Sequence, residues 1–303
     1  MKAAVIGIGS NSVRCLLAET DDTSFTCLWR DREGTRLFAG LDSRGMLQEE
    51  SILKTADAVA RMAETARRHD VDELGVFATS AARDAANGQA FLQAIESAAG
   101  TVPEILSGEE EAALSFIGAS RAVKDGCFCG VVDIGGGSTE IVTGCGDEIR
   151  SAFSCQMGAV RLFRELPIAG KKDMIPVERE AAAILRKKTE ETGPFPRPEV
   201  WVGTGGTFTT LAAMVRGIPW TDRTSMHGTR VSLEEIREIG EKLADMSMEE
   251  RLRLPGLQPG RADIVVHGIC ILLAVMESFG MEQITVSEWG NMDGYLWRKL
   301  MSC

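Results

Sequence analysis

Val131-Val-Asp-Ile-Gly-Gly-Gly-Ser-Thr-Glu140 reads as an apolar strand, a tight glycine turn and the start of a second strand. Three consecutive glycines, Gly135, Gly136 and Gly137, let backbone N–H groups converge on an anion with no side chain in the way. Ser138 and Thr139 add hydroxyls, and Asp133 and Glu140 bracket the turn with two carboxylates. Carboxylates beside a phosphate cradle suit a hard cation such as Mg2+ that bridges them to phosphate oxygens. The plainer alternative is a hairpin whose acids are merely solvated.

Working outward, Val5-Ile-Gly-Ile-Gly-Ser-Asn-Ser12 repeats the outline of strand, turn and strand in the first half of the chain. Ser10, Asn11 and Ser12 are candidate phosphate donors, and Arg14 offers a charged fork two residues on. One such turn is a common hairpin; two in the same setting predict duplicated α/β domains with a ligand cleft between them. The coarse order agrees. Lys2 to Ile8, Val13 to Glu19 and Phe25 to Arg30 read as strands. A helix from Ser51 to His69, a strand over Glu73 to Ala78 and a helix over Ser80 to Ala99 follow. Thr101 to Leu106 reads as a strand and Glu109 to Val123 as a helix. Three further strands span Cys127 to Ile134, Thr139 to Thr143 and Glu148 to Cys155. Helices are then predicted at Val177 to Glu191, Gly205 to Arg216, Ser232 to Met246 and Ala262 to Phe279, with strands at Pro198 to Gly203 and Gln283 to Ser287. The boundary falls near residue 124, giving domains 1–124 and 125–303, the last helix packing back on the first.

Length and composition agree with this reading. The 303 residues suit two domains at about 150 each. A net charge of −11 argues against a nucleic-acid binder, which needs a basic footprint. No apolar run is long enough for a membrane span, and the N-terminus has no signal-peptide pattern. The eight cysteines (15, 27, 127, 129, 145, 155, 270 and 303) then read as reduced thiols of a cytoplasmic protein. Cys127 and Cys129 form the one close pair, open to a metal or redox role but better read as small buried residues.

Three other segments carry candidate chemistry. Gly203-Thr-Gly-Gly-Thr207, with Gly205, Gly206 and Thr207 as the candidate contacts, follows a strand and opens a helix, so free N–H groups and the helix dipole favour an anion there. A tight strand–helix connection is the alternative. Ser107-Gly-Glu-Glu-Glu-Ala112 also opens a helix. Its glutamates are explained by capping alone, or one of them orients a water as general base. Arg83 is placed in the first turn of a helix, an unfavourable end for a cation unless an anion or carboxylate holds it. His69, His227 and His267 have no metal-ligand spacing, and there is no Gly-x-Ser-x-Gly elbow.

Together these residues resemble the exopolyphosphatase / guanosine pentaphosphate phosphohydrolase family of the sugar kinase–Hsp70–actin superfamily. The resemblance is carried in order by Ile8 to Arg14, Ala78 to Asp84, Ile105 to Ala112, Val132 to Glu140, Met157 to Arg161, Gly203 to Thr207 and Arg261 to Ile264. It implies duplicated actin-like (ribonuclease H-like) domains, each a mixed five-stranded sheet flanked by helices, around an interdomain cleft. It implies Mg2+-dependent release of the terminal phosphate of polyphosphate or guanosine pentaphosphate, and a homodimer. By the same resemblance Glu111 is the catalytic glutamate that positions water, and Asp133 and Glu140 are the metal-associated acids. Ser12, Arg14, Arg83 and the Gly135 to Thr139 turn match phosphate contacts.

Three departures stand out. Gly7 replaces an Asp usual in the family, which opens the alternative of a catalytically weak sensor of guanosine tetra- or pentaphosphate or polyphosphate. A polyphosphate:nucleotide phosphotransferase is a third reading. The chain ends at Cys303, like the short two-domain members, which favours short polyphosphates. Ser287-Glu-Trp-Gly-Asn-Met-Asp-Gly294 lacks an Arg expected from the family pattern.

Overall fold

The computed structural model describes residues 1–21, 24–124, 126–193 and 195–300. Cys303 lies outside the described residues. The chain divides into two compact units, Met1–Leu114 together with the segment from Asn291 onward, and Ser115–Gly290.

The first unit is built on a five-stranded sheet ordered β3-β2-β1-β4-β5. Its strands are β1 (Lys2–Ile8), β2 (Val13–Thr20), β3 (Phe25–Glu33), β4 (Glu73–Ala78) and β5 (Glu104–Ile105). β1, β2 and β3 run antiparallel in sequence, while β4 and β5 join parallel to β1. β1 is the central strand, and Ala3 to Ile8 are buried throughout. That explains an apolar run without alternation, as expected for a strand covered on both faces. Its helices are α1 (Glu49–Arg68), α2 (Ser80–Arg83), α3 (Gly88–Ala99) and α4 (Gly108–Ala119), the last of which contains the division at Leu114.

The second unit repeats the plan with one strand more, in the order β10-β11-β9-β6-β7-β8. The strands are β6 (Phe128–Ile134), β7 (Thr139–Cys145), β8 (Glu148–Cys155), β9 (Val200–Thr204), β10 (Arg230–Ser232) and β11 (Gln283–Val286). β10 was not legible in the sequence because it has three residues and pairs only along one edge of β11. The helices are α5 (Ala159–Glu165), α6 (Met174–Thr192), α7 (Gly206–Arg216), α8 (Arg223–Met226), α9 (Leu233–Asp245), α10 (Met248–Leu252) and α11 (Val265–Phe279). Every residue of α11 from Val265 to Met276 is buried. It is the central helix of this core, and that is why its sequence carries no amphipathic stripe. The Ser232 capping box is present. Glu235 N donates to Ser232 Oγ at 3.2 Å and Ser232 N to Glu235 Oε2 at 2.8 Å.

The predicted helix Ser80 to Ala99 is two helices. Asn87 breaks it, because its side chain pairs with the Leu47 backbone instead, accepting from Leu47 N at 2.8 Å and donating to Leu47 O at 2.9 Å. Arg83 consequently ends a four-residue helix and does not sit in the first turn of a long one. The strand expected over Thr101 to Leu106 shrinks to Glu104–Ile105. α12 (Asn291–Tyr295) and a π-helical turn (Leu296–Leu300) complete the first unit. Met292, Tyr295 and Leu296 enter its core beside Val5, Leu16 and Phe77.

The seven cysteines among the described residues are free thiols. Burial pushes the Cys129 thiol up to about 12, as it does Cys15 and Cys155, so these are packing residues. No helix among the described residues is long and apolar enough to cross a membrane.

Candidate active site

The two glycine turns have one geometry. Gly9 N donates to Ser12 O at 3.0 Å, and Gly135 N donates to Ser138 O at 3.0 Å. Each turn joins the central strand of its sheet to the next strand, and the register makes the residues around it equivalent. In the first unit, Phe77, Gly7, Arg14 and Arg32 face one another across β4, β1, β2 and β3. In the second unit, Thr204, Asp133, Glu140 and Ser154 do so across β9, β6, β7 and β8. Directly opposed residues point to one face of a sheet. The duplicated scaffold thus carries a cationic pair in one copy and an acidic pair in the other.

Asp133 and Glu140 are both buried, at 9% and 1% exposure. Two carboxylates in direct register repel, and burial of charge needs compensation. Such a pair suits a cation. Among the described residues no group of three or more His, Cys, Asp and Glu side chains is placed to hold a metal. Two hard oxygen donors still fit Mg2+, which commonly takes one or two carboxylates and completes its shell with water and phosphate oxygens. Asp133 Oδ2 accepts from Ser115 Oγ at 2.6 Å, and Glu140 Oε1 accepts from Ser154 Oγ at 2.8 Å.

The turn beside these acids is held from behind. Ala159 N donates to Gly135 O, and Val160 N and Arg161 N both donate to Gly136 O, at 2.9–3.0 Å. Arg161 Nε donates to Gly137 O at 2.9 Å. Gly158 lies against Gly136 so closely that a Cβ would collide with its carbonyl group. With the carbonyls occupied, the Gly136 and Gly137 amides donate to no acceptor among the described residues. That is the arrangement an anion-binding nest requires. Thr139 Oγ1 donates to Met157 O at 2.6 Å inside the sheet, so its hydroxyl locks the turn. Ser138 is buried in the turn itself.

Gly205 caps the N-terminus of α7 with φ +93°, and a Cβ there would lie 2.7 Å from Asp133 Oδ1. Glycine is therefore needed twice over, for the backbone angle and for the acid beside it. The Arg261 guanidinium lies on Gly206, where any Cβ would collide with it. Thr207 turns the other way, its side chain packed on Gly268 of α11. It contributes to helix packing.

In the first unit, Ser10, Asn11 and Ser12 are all buried. Ser10 Oγ hydrogen-bonds Ser80 Oγ at 2.8 Å. Ser12 Oγ accepts from Arg32 Nε at 3.0 Å. The Asn11 and Ser10 carbonyls accept from Arg36 N and Phe38 N, at 3.1 and 2.9 Å, which fixes the turn. Asn11 Oδ1 is buried without a partner. The three glutamates of α4 separate into different roles. Glu109 is exposed. Glu110 closes a capping box, accepting from Ser107 N at 2.9 Å. Glu111 is buried and accepts from Arg83 Nη1 at 3.2 Å. Arg83 Nη1 also donates to Leu106 O at 2.9 Å, and its Nη2 is buried without a partner.

Sequence reading missed Arg32 as a neighbour of the candidate residues in the first unit, and Ser115, Ser154, Arg161 and Arg261 as neighbours of those in the second. Their places depend on strand register and helix packing, which no local motif encodes. Arg161 and Arg261 lay inside stretches singled out for resemblance, and that was the one available signal.

Residues 16–303 match the Ppx/GppA phosphatase family. Exopolyphosphatase 2 of Mycobacterium tuberculosis is 33% identical over 310 residues, covering 97% of both chains. The crystal structure of the Ppx/GppA family member of Aquifex aeolicus is 28% identical, with TM-score 0.83 over 100% of this chain and 98% of that one. An exopolyphosphatase from Cytophaga hutchinsonii is 25% identical, with TM-score 0.88 over 100% of this chain and 98% of that one.

Proposed function

The chain belongs to the Ppx/GppA phosphatase family, and from that premise we propose that this hydrolase is an exopolyphosphatase. It removes the terminal phosphate of inorganic polyphosphate, short chains foremost, and of guanosine pentaphosphate. The observation that carries the reading is the opposed, buried Asp133–Glu140 pair beside a glycine turn whose carbonyls are already occupied. That turn offers donors to a phosphate, and the acids offer hard oxygens to a cation.

The roles follow from the chemistry of phosphoryl transfer, in which catalysis is mostly positioning and charge neutralisation. The Gly136 and Gly137 amides cradle the terminal phosphate. Asp133 and Glu140 would hold Mg2+, which would supply neutralisation of the phosphate charge. Glu111, fixed by Arg83, orients a water and takes its proton as the water oxygen attacks the terminal phosphorus. The bridging P–O bond breaks, and the shortened chain leaves with its electron pair. Arg83 and Arg14 add cationic contacts to phosphate oxygens. The free thiols support a reducing compartment, the cytoplasm.

The test is phosphate release from short polyphosphate, long polyphosphate and guanosine pentaphosphate, with and without Mg2+, beside Glu111→Ala. Release that needs Mg2+ and collapses in the variant is the expected result. No release from any of the three by folded protein overturns the reading.

A further inference from the structure

The two acids are each held by a serine that comes from a different element. Ser115 stands on α4, is fully buried, and donates from Oγ to Asp133 Oδ2 at 2.6 Å. Ser154 stands on β8 directly opposite Glu140 and donates to Glu140 Oε1 at 2.8 Å. The terminal torsion of Asp or Glu is broad and roughly two-fold. A carboxylate left to itself therefore samples many planes, and two in direct register turn apart to reduce repulsion. A serine hydroxyl has a single proton to give. It fixes one oxygen of its acid and thereby sets the plane of the other. On Asp133 that other oxygen, Oδ1, is turned toward Gly205, where any side chain would meet it.

The duplicated hairpin supplies an internal contrast. Where the second unit has Ser154 opposite Glu140, the first has Arg32 opposite Arg14. The neighbour across the third strand thus changes with the charge of the row. A small neutral donor accompanies the acids, and a second cation accompanies the arginine.

We propose that Ser115 and Ser154 are positioning residues that hold Asp133 and Glu140 in the geometry that accepts a divalent cation. The proposal rests on the cation reading above. It gives the serines a role beyond satisfying two buried carboxylates. Partners of metal-ligating groups commonly change metal affinity by 10–100-fold when removed.

The experiment measures Mn2+ binding to the full chain without substrate, from the electron paramagnetic resonance of the free ion. Wild type is compared with Asp133→Asn, Ser115→Ala, Ser154→Ala and Ser154→Thr, and each variant's urea midpoint is recorded. Ser115→Ala and Ser154→Ala are expected to weaken Mn2+ binding by about tenfold or more. Ser154→Thr, which keeps the hydroxyl, binds as wild type. In hydrolysis assays the alanine variants recover kcat as Mn2+ is raised, which a merely structural defect would not do. Ser154 is only partly buried, so its variants report even if Ser115→Ala does not fold. Wild-type affinity in the folded alanine variants, with loss only in Asp133→Asn, overturns the proposal and leaves the cation reading standing. No Mn2+ bound by wild type overturns both.

Discussion

At the scale of the residue, three positions carry most of the chemistry. Glu111 is the one glutamate of its triplet that is buried and held by an arginine. Glu111→Gln keeps the size and hydrogen-bonding capacity but cannot take a proton. It should lower kcat by about 10²–10⁴-fold, the usual share of general acid–base catalysis, with an unchanged urea midpoint. Gly205 combines φ +93° with a Cβ position 2.7 Å from Asp133 Oδ1. Gly205→Ala should cost about 1–3 kcal/mol in backbone strain and weaken cation binding by displacing the acid; equilibrium unfolding and Mn2+ titration read the two effects. Gly7 is the first unit's counterpart of Asp133. A Cβ there would come within 3.0 Å of Phe77 Cζ and 3.1 Å of Met292 Cγ. Gly7→Asp should therefore lose about 1–3 kcal/mol through overpacking, as its urea midpoint would register. Turnover of the folded fraction then shows whether a carboxylate at position 7 assists. The glycine turn and its bracketing acids were legible because they are contiguous. Which of three adjacent glutamates turns inward was not legible from the residues alone, because Glu110 and Glu111 differ only in what packs over them; the family resemblance is what singled out Glu111.

At the scale of the element, strands and long helices were readable and breaks were not. β1, β4 and β8 have the bounds the sequence suggested. The helix over Ser80 to Ala99 failed because Asn87 satisfies a backbone segment 40 residues away. Propensity yields to such tertiary pairing. α11 presents a different lesson, since a helix apolar on all sides is simply central. His267 lies in it, buried, with Nε2 2.8 Å from Leu166 O. Burial foremost, with a smaller contribution from the Arg251 charge, pulls its imidazole below the ordinary value. The unfolded chain then binds a proton near pH 6.5 that the folded chain refuses until lower pH. Stability is thus full above about pH 6.5 and falls as pH drops below it. His267→Gln should flatten that acid limb, as urea midpoints at pH 5.5 and 7.5 would register.

At the scale of the whole molecule, the duplication was visible in two short turns, but the path of the chain was not. The first unit is discontinuous, because its core is completed by residues that follow the entire second unit. Sequence reading expected only a helix packing back. The structure makes the dependence specific. Phe77 stacks on Tyr295 with ring centroids 5.0 Å apart, Tyr295 donates to Glu104 Oε1 at 2.5 Å, and buried Asp293 forms an ion pair with Arg30. Met292, Tyr295 and Leu296 are at most 6% exposed. Removing a large buried side chain costs about 2–5 kcal/mol, and three such losses approach the entire stability of a domain, about 5–15 kcal/mol. A chain ending at Gly290 should therefore lose the first unit while the second, continuous from Ser115 to Gly290, keeps its core. Limited proteolysis should then cut first within residues 1–114 and leave a resistant fragment that starts near Ser115. The same digestion of the Tyr295→Ala variant should show an intermediate rate of cutting in the first unit. Equal resistance of both units in the shortened chain would mean that β1 to β5 and α1 to α4 bury enough apolar surface alone, and that the returning segment only covers a finished core.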